Sequence, residues 1–419
     1  MDITIYYATN RAHEGAERFR PDRYGSHFSS DGMENLRFGR VTFSADAAHV
    51  QALLNRDRPN TGAGDGEALQ DYFSSCVKQT QRIDAFEESI PNARLNEIGQ
   101  KAVLLGSKAM FAELQNDMRQ GRDMMVLIHG YNVSWEEAVG TAAALEGTMN
   151  RRDSLLPSTT GDTASSAKAV RVVLFTWPSN GQALPFVSYK SDRGEAAGSS
   201  GAVGRGLLKV RDFLQALGRE VRSGNRHVAK MRMALEAQGV RASEIDRAVA
   251  QMEATEVCGH NIHLLAHSMG NFVLQHALDR LWEFTPGTAL PRLFDRVFLC
   301  AADVDDDVLE PSKAMEQVHQ VANVVSVYHN PSDNALRVSD HTKGNPERLG
   351  QRGAARPQAL HQKMLQVDCS ALVTGFAQHS YFTNGRIARD IRLSLQGLAP
   401  DAPQRSLHRL AGAPNMWRF

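Results

Sequence analysis

Cysteine is scarce in this chain and is not arranged for metal or redox chemistry. The 419 residues include four cysteines, none of them in a C-x-x-C pair: Cys76, Cys258, Cys300 and Cys369. Such a scatter offers neither a zinc site nor a disulfide framework. We therefore expect reduced thiols, no metal and no cofactor.

An excess of one charge is also lacking. The 47 Lys and Arg residues balance the 47 Asp and Glu residues, so the formal net charge is zero. Nucleic acids and anionic membrane surfaces attract proteins with clustered basic charge. The balance therefore argues against both kinds of partner.

Long hydrophobic runs are absent as well. No stretch approaches the run of about 18 apolar residues that a transmembrane helix needs. The first residues lack the basic segment and apolar stretch of a signal peptide. Hydrophobic residues make up 42% of the chain, an ordinary value for a globular protein. These features predict a soluble, cytoplasmic protein.

Short apolar runs recur along the chain with amphipathic helical patterns between them. The runs predict strands at 3–8, 41–43, 124–129, 170–177, 262–267, 297–301 and 324–329. The last five are continuously apolar, which is typical of buried strands in a parallel sheet. Alternation of strands and helices predicts an α/β fold, with a mostly parallel sheet flanked by helices.

Three polar stretches interrupt this pattern. Residues 151–168 are rich in Ser, Thr, Gly and Asp and predict a surface loop. Residues 218–257 are charged and helical in character, and they predict a helical insertion before the strand at 262–267. Residues 340–363 contain Gly and Pro and predict a flexible loop. We assign 1–396 to one domain and 397–419 to a loosely docked C-terminal tail.

A candidate nucleophile lies in the segment IHLLAHSMGNFVLQH, residues 262–276. The apolar strand leads into Ser268, and an amphipathic helix follows it. A sharp strand-to-helix turn of this kind exposes a serine hydroxyl and needs small neighbours, usually in the form G-x-S-x-G. Here Ala266 and Gly270 take those positions. The N–H of Met269, at the start of the helix, is a candidate oxyanion donor.

A second candidate element is LIHGYN, residues 127–132, at the end of an earlier strand. In an α/β sheet this loop lies beside the nucleophile turn. Because Gly130 permits a close turn, the N–H of Tyr131 is expected to join that of Met269 in an oxyanion hole. The alternative is an ordinary strand-end loop with a buried His129.

The base and acid are expected downstream in the order Ser…Asp/Glu…His. His379 follows the last predicted strand and precedes a late helix, so its loop can return to the serine. His361 and His341 are weaker alternatives. Asp333 follows the strand at 324–329 and is the preferred acid, because catalytic groups gather at the carboxyl ends of such strands. Asp303 follows the preceding strand and remains the alternative.

Three further groups of residues invite a functional interpretation. Trp177, Phe186 and Tyr189 follow a core strand and could line an acyl pocket, although ordinary packing explains them equally well. The glycine-rich residues 194–206 could gate the site. The aspartates of 303–307 fit a helix N-terminus, because the spacing of a calcium loop is missing.

Several motifs together resemble a known family. The α/β-hydrolase family once filed as DUF900 has similar blocks at 7–11, 38–41, 129–134, 175–179, 266–271, 301–305, 332–336 and 379–382. The blocks cover most of the chain in the expected order and miss 218–257 and the tail. The resemblance implies an α/β-hydrolase fold and a serine-hydrolase type of site, and it implies little about substrate.

These observations predict a serine hydrolase that cleaves a carboxylic ester through an acyl-enzyme on Ser268. Thioester cleavage or acyl transfer by the same serine is an alternative, with a small acyl compound as partner in each case. A second alternative is a binding or scaffolding protein that retains the fold and uses 218–257 to contact a protein partner.

Overall fold

The computed structural model describes residues 1–56, 64–88, 104–151, 169–179, 185–224, 226–245, 261–283, 292–336, 347–373 and 379–419, with backbone alone for 185–190 and 214–231. The strands are β1 Asp2–Thr9, β2 Arg11–Glu14, β3 Arg23–Phe28, β4 Arg37–Ser44, β5 Arg82–Ala85, β6 Asp123–Ile128, β7 Val170–Thr176, β8 Ile262–His267, β9 Phe294–Cys300, β10 Ala322–His329, β11 Met364–Asp368, β12 His408–Arg409 and β13 Met416–Arg418. The helices are α1 Ala47–Asn55, α2 Gly66–Thr80, α3 Gly106–Arg119, α4 Trp135–Met149, α5 Pro185–Gly224, α6 Arg226–Ala237, α7 Gly270–Glu283, α8 Val318–Val321, α9 Leu349–Arg352 and α10 Gly385–Leu395.

One large sheet organises the described part of the chain. Its strand order is β12-β13-β11-β10-β9-β8-β6-β7-β1-β4-β5. All pairs from β13 to β1 are parallel, whereas β12, β4 and β5 add antiparallel edges. Each apolar run in the sequence lies in a strand of this sheet, so the prediction of a mostly parallel α/β fold is confirmed.

Helices cover both faces of the sheet and bury two separate apolar cores. Helices α3, α5 and α7 pack on one face, where Leu114, Leu207 and Val273 belong to one buried cluster. Helices α1, α2, α4 and α10 pack on the other, where Phe73 and Ile387 belong to the second cluster. Removal of this apolar surface from water is the main stabilising term. The arrangement also fixes the strand ends, where a parallel α/β sheet carries its ligands.

The C-terminal residues differ from the predicted loose tail. Strand β13 pairs in parallel with β11, and β12 pairs with β13 as the edge of the large sheet. Arg418 also forms an ion pair with the buried Asp368, at 2.8 Å. The sequence signal is weak because the two strands have only two and three residues. The tail is therefore docked by strand pairing.

Two predicted mobile stretches are also ordered where they are described. Residues 349–352 form α9, whose Leu349 and Gly350 are buried, so this part of the predicted loop 340–363 is a packed helix. The glycine-rich residues 194–206 lie inside α5. There Gly204 packs so closely on α7 that a Cβ would lie 3.0 Å from Arg280 Cβ. Small residues in this stretch serve close helix packing.

The predicted insertion is helical in its described part. Helix α5 runs through position 218 without a break, and α6 follows it. Residues 246–257 lie outside the described residues, so the boundaries of the insertion remain a prediction. Among the described helices, none is long and apolar enough to cross a membrane.

Candidate active site

The turn between β8 and α7 carries Ser268 in a strained conformation. The strand ends at His267 and the helix begins at Gly270. Ser268 has φ +52°, in the left-handed region that non-glycine residues rarely adopt. A Cβ at Gly270 would lie 2.5 Å from the carbonyl oxygen of Ile128, so a larger residue cannot occupy that position. This is the geometry expected of a nucleophile turn.

Asn271 stabilises the turn from within. Its buried Nδ2 donates to the carbonyl oxygens of Ala266, Ser268 and Cys300 at 3.1, 3.0 and 3.3 Å. The N–H of Ser268 donates to the carbonyl of Cys300 at 3.0 Å. Because these bonds join β8, the turn and β9, the strained residue is held by its surroundings.

The side chains of His379 and Asp333 form a hydrogen-bonded series with the hydroxyl of Ser268. Ser268 Oγ is 2.7 Å from His379 Nε2, and His379 Nδ1 is 2.8 Å from Asp333 Oδ2. A carboxylate only accepts hydrogen bonds, so Nδ1 carries the ring proton and Nε2 accepts from the serine. The three residues predicted as nucleophile, base and acid are therefore brought together.

Asp333 is buried and surrounded by donors. Its Oδ1 accepts from the N–H groups of Ala335 and Leu336 at 3.0 and 3.2 Å. The hydroxyl of Tyr381 donates to Oδ2, beside the bond from His379. Burial acts to raise the pKa of Asp333, but the charge and hydrogen bond of His379, with the other donors, hold it below its ordinary value. The carboxyl is therefore ionised at neutral pH.

Asp303, the alternative acid, has a different partner. Its Oδ1 lies 3.3 Å from Nε of the buried Arg348. Its backbone N–H donates to the carbonyl of Ser268 at 3.2 Å, so the residue still lies beside the turn. Of the weaker base candidates, His361 stacks on His319 at 4.0 Å, and His341 lies outside the described residues.

The loop after β6 contacts the serine directly. A Cβ on Gly130 would lie 2.9 Å from Ser268 Cβ and 3.2 Å from His267 Nδ1. Glycine at 130 is therefore required for this approach. Gly130 and Ser268 are thus in contact. The two predicted oxyanion donors are the N–H groups of the next residue after each, Tyr131 and Met269.

His267 lies between the loop and the base. Its Nε2 is 3.3 Å from the carbonyl oxygen of His379, and the two rings are 5.0 Å apart. Phe382 packs edge-on against the His267 ring at 5.1 Å. Burial, together with the charge of His379, lowers the pKa of His267 to about 3. The ring is therefore neutral and donates from Nε2 to the carbonyl.

The residues predicted to line an acyl pocket are only partly placed. Trp177 is fully buried, donates from Nε1 to the carbonyl of His129 at 3.1 Å and stacks on the His129 ring. These contacts fit the packing interpretation. The side chains of Phe186 and Tyr189 lie outside the described residues. Nowhere in the described parts do three or more His, Cys, Asp or Glu side chains form a group that could hold a metal ion.

Sequence reasoning missed three buried polar residues near the site. Tyr381 contacts Asp333, Arg11 contacts the carbonyl of Val133, and Asp192 contacts the N–H of Asn132. Arg11 had a usable signal, because it follows a buried strand at the edge where the serine lies. Asp192 had none, since it lies within a long helix.

The parallel sheet, the helices on both faces and the serine at a strained strand-to-helix turn define an α/β-hydrolase fold. The family described as alpha/beta hydrolase of unknown function (DUF900) matches residues 107–215 and 236–387. These two regions make up more than half of the chain and contain Ser268, Asp333 and His379. The chain belongs to this family, which indicates a hydrolase-like enzyme and names no substrate.

The match differs in extent from the resemblance noted in the sequence. It begins at residue 107, so the blocks at 7–11 and 38–41 lie outside it. It omits 216–235, where the predicted insertion begins, and resumes inside that insertion at 236. No curated protein and no solved structure shows significant similarity to the chain.

Proposed function

We propose that this protein is a serine hydrolase that cleaves carboxylic esters through an acyl-enzyme on Ser268. One observation carries the proposal: the hydrogen-bonded series from Ser268 Oγ to His379 Nε2, at 2.7 Å, and from His379 Nδ1 to Asp333, at 2.8 Å. A serine hydroxyl is a weak nucleophile until a base of this kind activates it.

In the proposed reaction, Ser268 Oγ attacks the ester carbonyl carbon while His379 Nε2 takes the hydroxyl proton. Asp333 remains ionised and stabilises the imidazolium, which agrees with the lowered pKa of its carboxyl. The N–H groups of Tyr131 and Met269 donate to the oxyanion. Collapse of the tetrahedral intermediate expels the alcohol, which takes the proton from His379, and leaves the acyl group on Ser268.

The second half of the reaction repeats these roles with water. His379 takes a proton from water, whose oxygen attacks the acyl carbon, and the carboxylic acid leaves as Ser268 regains its proton. The proposed steps use only the substrate, water and these residues. Thioesters would react by the same steps with a thiol as leaving group.

The test is covalent labelling with a fluorophosphonate, read by intact mass. We expect a single adduct on the wild-type protein and none on Ser268→Ala, because only an activated serine displaces fluoride from phosphorus. Hydrolysis of an ester series and a thioester series should then fall by about 10⁶-fold in the variant.

The opposite result would favour the scaffold alternative. A folded wild-type protein that gains no adduct, or a Ser268→Ala variant that retains full turnover, would remove the proposed mechanism. Circular dichroism of both proteins, recorded before labelling, establishes that the comparison is between folded molecules. Peptide mapping of the adduct locates the modified residue.

A further inference from the structure

We propose that Arg11, in β2, and Asp192, in α5, are positioning residues that hold the backbone of the loop Gly130–Val133, so that its N–H donor faces the developing oxyanion. The inference rests on the proposed function and adds two residues to which no catalytic role has been given above. Neither side chain is placed to contact the substrate. Each acts through the backbone of the loop.

Arg11 holds the loop by one direct hydrogen bond. Its Nη2 donates to the carbonyl of Val133 at 2.8 Å. Its Nη1 donates to the carbonyl of Gly25 at 3.0 Å, which ties the guanidinium to β3. A planar fork with several fixed donors can bind both carbonyls at once, whereas a lysine ammonium cannot reproduce that geometry.

A second route from Arg11 reaches the other end of the loop. Arg11 Nε donates to Thr176 Oγ at 2.8 Å, and Thr176 Oγ lies 2.9 Å from His129 Nε2. His129 Nδ1 lies 2.7 Å from the carbonyl of Gly130. Since a carbonyl only accepts, Nδ1 carries the proton, and Nε2 accepts from the threonine hydroxyl. Arg11 therefore holds Gly130 through Thr176 and His129.

Asp192 approaches the loop from α5 and binds its N–H groups. Its Oδ2 accepts from the N–H of Asn132 at 2.9 Å and from Ser179 Oγ at 2.7 Å. Ser179 Oγ in turn accepts from the N–H of Val133 at 3.1 Å. Asn132 has φ +56°, in the left-handed region that asparagine tolerates better than most residues.

These contacts fix the groups on both sides of Tyr131. On the N-terminal side of Tyr131, the carbonyl of Gly130 is hydrogen-bonded to His129. On its C-terminal side, the N–H of Asn132 and both backbone groups of Val133 are hydrogen-bonded. Gly130 itself packs on Ser268, as the 2.9 Å approach of its would-be Cβ indicates. The peptide that carries the Tyr131 N–H is therefore held in one orientation beside the serine. Preorganised donors of this kind stabilise an oxyanion without reorganisation.

The two side chains also balance each other's charge. Arg11 and Asp192 are both fully or almost fully buried. Burial lowers the pKa of Arg11 to about 10, and the charge of Asp192 acts against that shift. A buried cation and a buried anion that both bond to the backbone of one short loop favour a single loop position.

The test compares acylation in wild type, Arg11→Met, Arg11→Lys and Asp192→Asn. Fluorophosphonate titration gives the active fraction, and rates of ester hydrolysis are expressed per active site. We expect kcat per site to fall about a hundredfold in Arg11→Met, because displacement of a catalytic group by an ångström has that effect. KM should change little. Affinity for a boronic acid, which mimics the tetrahedral oxyanion, should fall by the same factor as kcat/KM.

Arg405→Met is the matched control. Arg405 is an equally buried arginine, bound to Asp390 at 2.7 and 3.0 Å and remote from the loop in its contacts. The Arg405→Met substitution should lower the free energy of unfolding and leave kcat per active site unchanged. A merely structural role for Arg11 would give this same pattern.

Three results would overturn the inference. The first is an unchanged kcat per site in Arg11→Met. The second is a lowered kcat without any loss of boronic acid affinity. If Arg11→Met does not fold, Arg11→Lys and Asp192→Asn decide by the same measures. The third is a wild-type protein that fluorophosphonate does not label, and this result removes the proposed function as well. If wild type is labelled and the Arg11→Met variant keeps its kcat per active site, only this inference is removed.

Discussion

The two sides of Ser268 are built in different ways. On one side, the side chains of His379 and Asp333 meet the serine through consecutive hydrogen bonds. On the other side, the groups that face the serine belong to the backbone of Gly130–Val133, and side chains such as Arg11 and Asp192 hold that backbone from behind. In the proposed reaction, the first side supplies the base and the acid through their side chains. The second side supplies a backbone N–H donor whose position depends on other side chains.

The difference predicts different responses to substitution. In the proposed reaction, Ser268 and His379 exchange the proton and Asp333 stabilises the charged ring, so removal of any of the three should act on the chemical step directly. On the loop side, any single support shares its task with others, so its removal should displace the donor only partly. Three substitutions test this contrast, in order of decreasing effect.

Asp333→Asn should have the largest effect. The amide oxygen is needed by the N–H groups of Ala335 and Leu336, so the NH2 group would face His379 Nδ1. A donor at that position favours the wrong tautomer of the ring, and the neutral amide no longer stabilises the charged form. We expect kcat to fall by about 10⁴-fold with little change in KM. Asp303→Asn is the matched control, because Asp303 is also a buried aspartate beside the turn but pairs with Arg348. A larger loss in the Asp303 variant would reverse the assignment of the acid.

Gly130→Ala should have an intermediate effect. Its Cβ would lie 2.9 Å from Ser268 Cβ, so the loop must move away from the serine. We expect kcat to fall about a hundredfold, with a smaller effect on stability. Gly194→Ala is the control, since no atom lies within 4 Å of a Cβ there; helix propensity predicts equal or higher stability. Equal kcat in the Gly130 variant and wild type would mean that the loop does not serve the reaction.

His267→Gln should affect stability more than chemistry, because His267 has no part in the proposed reaction but is a buried neutral histidine. The pKa of His267 is about 3 in the folded protein and about 6.5 in an unfolded chain. Between these values the unfolded state binds the extra proton, so stability falls as the pH falls from about 6.5. Through this protonation, the free energy of unfolding of wild type should fall by about 2 kcal/mol between pH 7 and pH 5. The glutamine variant should not show this decrease.

Denaturant unfolding at the two pH values measures this difference. Phe382→Leu is a suitable control, because Phe382 packs on the His267 ring and carries no proton. Its destabilisation should be similar at both pH values. If wild type and the glutamine variant lose the same stability on acidification, His267 is not held neutral by the fold.

The sequence was sufficient for the sheet, and it singled out Ser268, Asp333 and His379, which the structure brings together. Ser268 lies in a local pattern that demands small neighbours, and Asp333 and His379 follow it in the order that such folds impose. Continuous apolar runs were sufficient for the core strands, because burial on both faces removes alternation. The choice between Asp333 and Asp303 was less certain, since both follow a core strand. The structure separates them, because Asp333 bonds to His379 whereas Asp303 pairs with Arg348.

The loop supports could not be read from the sequence for a physical reason. Arg11 meets Val133 across 122 residues, and no spacing rule links positions so far apart. Polar composition also misled us about residues 347–363, where Arg348 is buried because an ion pair compensates its charge. The tail was missed because its strands gain stability from the neighbouring strand and not from their own length.

The separation of these contacts along the chain has a consequence for folding. Thr9 bonds to Thr176 across 167 residues, Arg11 to Val133 across 122, and His379 to Ser268 across 111. Contacts of such long range form slowly, because a large loop must close before they contribute any stability. A chain that has formed its helices but not these pairings has a serine without a base and a loop without supports. The proposed mechanism therefore makes an incompletely folded molecule unreactive, since its reacting groups come together only when distant parts of the chain have met.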